Sequence, residues 1–83
     1  MVRKPVVLIT GASGEIGHGL IESLAGDGRR PIITLDLKPL DPALGALVQQ
    51  QFTGSILDDN LLERMLSEYE VELVFHLAAL LST

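Results

Sequence analysis

The chain has 83 residues, 47% of them hydrophobic and 20% charged, and a formal net charge of −5. That length allows one small domain, and the acidic balance argues against a nucleic-acid partner, which needs clustered Lys and Arg. No cysteine and only two separated histidines are present, so neither a disulfide framework nor a metal centre is expected.

The first predicted element is a strand over Val6-Val7-Leu8-Ile9, an aliphatic run of the kind buried on both faces, closed by Thr10. The basic start of the chain is followed by too short an apolar run for a signal peptide. Gly11, Gly14 and Gly17 come next at a spacing of three, and Ile16, Leu20, Ile21 and Leu24 then recur at helical intervals. The glycines therefore sit on a strand-to-helix turn. Gly11 can supply positive φ, Gly14 can let a pyrophosphate approach the backbone, and Gly17 can let the helix lie close against the strand. The helix start offers N–H groups and partial positive charge to phosphates, and Ser13 can add a hydroxyl donor. A helix over Glu15 to Ala25 is expected, with Glu15 pointing outward, His18 facing solvent and Gly26-Asp27-Gly28 ending it. Gly19, in its interior, suggests close packing.

Pro31 to Leu35 reads as the second strand, and Asp36 stands at its end, about 20 residues past Gly17. A carboxylate there can accept hydrogen bonds from both hydroxyls of an adenosine ribose and repels a 2′-phosphate, which points to NAD over NADP. Lys38 is read as facing water. Asp41-Pro42 marks an N-cap with proline at the first helical position, and Leu44, Leu47 and Val48 give that helix an apolar stripe. Phe52-Thr53 forms a minimal third strand ended by Gly54. Asp58 caps a helix with Leu61, Leu62, Met65, Leu66 and Tyr69 on one face. Leu73 to Ala78 is the fourth strand, a buried run carrying His76 as a hydrogen-bonded core histidine. The apolar stretch from Leu73 to Leu81, interrupted by His76, is far short of a membrane span. No membrane partner and a cytoplasmic location are expected.

The order βαβαβαβ with right-handed crossovers gives an α/β fold, a Rossmann-type parallel sheet of strand order 3-2-1-4, with the glycine turn at the switch between strands one and four. Four stretches in this order, TGASGEIG (Thr10 to Gly17), LDLKP (Leu35 to Pro39), GSILD (Gly54 to Asp58) and HLAA (His76 to Ala79), resemble the extended short-chain dehydrogenase/reductase family, the NAD-dependent epimerases and dehydratases. The HLAALLS ending is most similar to the threonine dehydrogenase and sugar epimerase branch.

The resemblance implies an NAD site of Gly11, Ser13, Gly14, Glu15, Ile16, Gly17 and Asp36, extended by Ser55, Ile56, Leu77, Ala78 and Ala79. Ser55 stands where the family commonly has an Asp reaching the adenine amino group, Ile56 where an apolar residue packs on the ring, and Leu77 to Ala79 where the strand end passes under ribose and pyrophosphate. No catalytic residue is assigned. The family's Tyr-x-x-x-Lys pair lies downstream of HLAA, and the lone Tyr69 is followed four positions later by Leu73. Residues 1–83 are therefore expected to be the N-terminal, adenosine-half portion of such an enzyme, with the catalytic portion absent. The alternative is a non-catalytic dinucleotide-sensing or assembly module. An exposed fourth strand is expected to pair two copies into a homodimer.

Overall fold

The computed structural model describes residues 3–77. Its elements run β1 (Lys4–Thr10), α1 (Glu15–Asp27), β2 (Ile32–Asp36), α2 (Pro42–Gly45), β3 (Gln50–Thr53), α3 (Asp59–Glu68) and β4 (Tyr69–His76). The four strands form one parallel sheet in the order β3-β2-β1-β4. This is the expected Rossmann-type arrangement.

The aliphatic run of β1 explains its central place. Val6, Val7, Leu8 and Ile9 are all buried, and successive strand side chains take opposite faces. Val6 and Leu8 join Ile33, Leu35, Phe52, Leu61, Met65 and Tyr69 in one core cluster, on the α3 side. Ile9 joins Ala12, Ile21, Ile32, Leu40 and Leu44 in a second, under α1 and α2. Each fully buried aliphatic side chain contributes about 1.5–3 kcal/mol, so β1 and β2, which feed both clusters, form the stable centre of the sheet.

Helix ends follow local chemistry. The Asp58 side chain accepts the Leu61 N–H at 3.2 Å and caps α3, as expected. Gly28 ends α1 with φ 67°, its N–H bonding Leu24 O, a left-handed cap that glycine adopts without Cβ strain. His18 is exposed on α1, its Nε2 lying 3.2 Å from Glu22 one turn on.

Several expectations are corrected. Asp41 precedes α2 but makes no side-chain cap bond, and α2 is one turn that ends at Gly45, before Leu47 and Val48. Gly19 is not packed against anything: a Cβ there would meet nothing within 4 Å. Tyr69 does not belong to the helix. It opens β4, pairs with Lys4 and donates its hydroxyl to Gln50 Oε1 at 2.6 Å. Leu66, assigned to the core face of α3, is 46% exposed. The fourth strand begins four residues earlier than its apolar run suggests, because pairing with β1 selects it, and it is not buried. Leu73 and Val74 are 44% and 49% exposed, since β4 is the edge of the described sheet. Ala78 and Ala79 lie outside the described residues.

Candidate functional site

The carboxyl ends of the four parallel strands meet at one edge, where β1 hands the chain to α1. Gly11 takes φ 69°, a conformation that a side chain would strain, and its N–H bonds Leu35 O at 2.9 Å. The turn is thereby tied to β2. Gly17 is required for a different reason. A Cβ at this position would lie 2.2 Å from Ala12 O and 2.6 Å from Ala12 C. The expected close approach is real, but it is made to the backbone of the turn.

Gly14 is the N-cap of α1. It carries no side-chain cap, and a Cβ there would meet nothing within 4 Å. The first intrahelical bond runs from His18 N to Gly14 O, so the N–H groups of Glu15, Ile16 and Gly17 have no partner within the helix. The partial positive charge of the helix start lies at this turn. Glu15 and Ile16 are both exposed, Ile16 by 61%.

Asp36 arrives at this corner from β2. Its Oδ2 accepts both the Ser13 N–H at 2.9 Å and the Ser13 Oγ–H at 2.8 Å, while Oδ1 accepts the Lys38 N–H at 3.1 Å. Partial burial raises the pKa of the carboxyl, but the hydrogen bonds from Ser13, Lys38 and Leu37 outweigh it and hold it below the ordinary value. Among the described residues no salt bridge reaches Asp36, so these dipoles alone answer its charge. Lys38 is exposed.

The turn after β3 joins the same corner, since Gly54 N bonds Asp36 O at 2.8 Å. Ser55 is occupied locally, its Oγ accepting the Leu57 N–H at 3.0 Å. Ile56 is 38% exposed. Leu77 follows β4 and is half-buried against the α1-side cluster. His76 departs from its expected core position. It is exposed on the edge strand, though its Nδ1 lies 2.6 Å from the hydroxyl of Thr10.

Sequence reasoning passed over two residues at this end. Leu37, next to Asp36, is 73% exposed, and Leu57, next to Ile56, is 84% exposed. The available signal was their position, in the loops after β2 and β3 beside Asp36 and Ile56. A separate cleft of about 360 Å³, lined by Ala25, Arg30, Pro31, Val48 and Gln49 among others, opens at the amino end of β2, away from this corner. Among the described residues no cluster of His, Cys, Asp and Glu could hold a metal ion.

The residues of this corner suit the diphosphate and ribose of a nucleotide. Gly17 admits no Cβ, Gly14 precedes N–H groups that have no partner within the helix, and among the described residues a Cβ on Gly14 would meet nothing within 4 Å, while the Asp36 carboxylate is bound to the adjoining Ser13. Comparison with known proteins agrees. The chain is 36% identical over 78 residues to the ceramide reductase of Caulobacter vibrioides, a match covering 94% of this chain and 24% of the relative. It thus spans about a quarter of the length of that curated protein. The NAD dependent epimerase/dehydratase family matches residues 7–83, and such proteins use a nicotinamide dinucleotide. The chain belongs to the NAD-dependent epimerase/dehydratase family.

Proposed function

We propose that this chain binds NAD(H) through its adenosine half, as the N-terminal part of an NAD-dependent epimerase, dehydratase or oxidoreductase. The pyrophosphate lies over the turn from Gly11 to Gly17 and takes the N–H groups of Glu15 and Ile16. Asp36 holds the ribose, Ile56 packs on the adenine, and Ser55 offers it a short polar contact. Leu77 lies at this end of β4, and the family resemblance adds Ala78 and Ala79 to the proposed site. Leu37 and Leu57 add apolar cover to the adenine side.

The observation that carries this reading is the pair of hydrogen bonds from Ser13 to Asp36. They join two segments far apart in sequence, so that the phosphate-type donors and the ribose-type acceptor share one corner. The hydride chemistry belongs to the nicotinamide. The residues described here bind and orient the other end of the cofactor. The reductase name of the Caulobacter relative supports an oxidoreductase.

Preference for NAD over NADP rests on the charge of Asp36. A 2′-phosphate carries about −1.5 to −2 charges, and each opposed unit pair near 4 Å in water costs about 1 kcal/mol, which amounts to about tenfold or more in affinity. Calorimetric titration with NAD, ADP-ribose and NADP tests the proposal. NAD and ADP-ribose bind alike, and NADP binds at least about tenfold more weakly. Equal affinity for NADP removes the role given to Asp36.

A further inference from the structure

The Asp36 carboxylate is already heavily used. A carboxylate has about four acceptor positions, and three are filled by protein donors in full hydrogen-bond geometry: Ser13 N–H and Ser13 Oγ–H on Oδ2, and Lys38 N–H on Oδ1; the neighbouring Leu37 N–H adds only the weakest pull on the carboxyl. A ribose diol brings two donors and finds one position open. One protein donor must leave. The N–H groups of Ser13 and Lys38 are fixed by the turns that carry them, whereas the Ser13 hydroxyl swings away by rotation about one bond.

We propose that the Ser13 hydroxyl competes with the cofactor ribose for Asp36, and that a bound dinucleotide displaces it from Oδ2 and receives it on the phosphate side of the turn. This inference rests on the nucleotide reading above. Ser13 stands immediately before Gly14, the N-cap of α1, so its released hydroxyl is beside the helix donors that face an anion. The exchange links the two halves of the ligand. Ribose binding costs a hydrogen bond that phosphate binding returns, so a nucleoside without phosphates is penalised and a dinucleotide is not.

The test titrates the wild-type protein, Ser13→Ala and Ser13→Thr with adenosine and with ADP-ribose in a calorimeter, and follows the Asp36 carboxyl by carbon NMR without nucleotide. Ser13→Ala binds adenosine about fivefold more tightly, because the ribose displaces nothing. Its affinity for ADP-ribose changes by about twofold or less, since the gain at the ribose offsets the loss at the phosphate. Ser13→Thr keeps the hydroxyl and follows the wild type. In the nucleotide-free protein the Asp36 carboxyl of Ser13→Ala titrates at higher pH than that of the wild type. Equal weakening of both ligands, or no change in either, overturns the competition, as does an unmoved Asp36 titration. Binding of ADP-ribose without this Ser13 pattern leaves the site reading intact and defeats the competition alone. Failure of the wild type to bind ADP-ribose defeats both.

Discussion

Glycine-to-alanine substitution at two positions of α1, Gly17 and Gly19, measures how tightly the first turn is built. Alanine at an interior helix position normally adds about 0.5–1 kcal/mol by restricting the unfolded chain. At Gly19 nothing lies within 4 Å of the added carbon, so the full gain is expected. At Gly17 the added carbon meets Ala12 O at 2.2 Å, more than an ångström inside the 3.4 Å where ordinary contact begins. Relief would require moving backbone, and Ala12 itself is fully buried among Ile9 and Ile21. Overpacking of this kind costs about 1–3 kcal/mol or more, which outweighs the propensity gain.

The propensity gain is common to both variants, so they should differ by the overpacking cost, about 1–3 kcal/mol or more, with opposite signs relative to wild type. For a domain of this size 1 kcal/mol corresponds to about 4–8 °C in Tm. Thermal and urea unfolding followed by circular dichroism give the answer. Gly17→Ala melts about 5–15 °C below wild type, and Gly19→Ala about 3–8 °C above it. A neutral or stabilising Gly17→Ala would refute the close approach of helix and turn, and with it the shape of the glycine corner.

Three further predictions follow from single contacts. Asp58→Ala removes the cap of α3 and costs about 1 kcal/mol, whereas Asp41→Ala, which loses no cap bond, stays within about 0.5 kcal/mol of wild type in the same urea assay. Asp36 has a depressed folded-state pKa, so its contribution is present above its unfolded pKa and lost as pH falls through the lower folded value. Melting temperatures should thus decline as pH drops below about 5, and Asp36→Asn should flatten part of that decline; identical acid profiles would contradict the hydrogen bonding. Finally, two copies are expected to pair through the exposed edge of β4. Sedimentation velocity should show concentration-dependent dimers that Val74→Lys shifts toward monomer, and a wild type that stays monomeric throughout rejects the pairing.

The parts of the fold that were legible in the sequence are those fixed by backbone or by pattern. Gly11, Gly14 and Gly17 announce a turn because their reasons are local, and the aliphatic run of β1 announces a central strand. Tyr69 was misread because it continues the helical spacing of Leu61, Leu62 and Met65 with no glycine or proline to stop it. What moves it into β4 is pairing with Lys4 and a hydroxyl bond to Gln50, contacts no local pattern carries. Leu73 and Val74 illustrate a second limit: an apolar run shows that a strand can be buried, and only its neighbours decide whether it is. The Ser13–Asp36 bonds show a third. A small donor in the turn and an acid at the end of β2 are visible in sequence, but their union is made by the register of β1 on β2.

Backbone amide shifts followed by NMR as ADP-ribose is added show where the nucleotide sits. The largest changes should fall on Ser13, Glu15, Ile16, Gly17 and Leu37, with the amides of Arg30, Val48 and Gln49 at the opposite end unmoved. Changes centred on that opposite cleft, or none at the glycine corner, would contradict the proposed site.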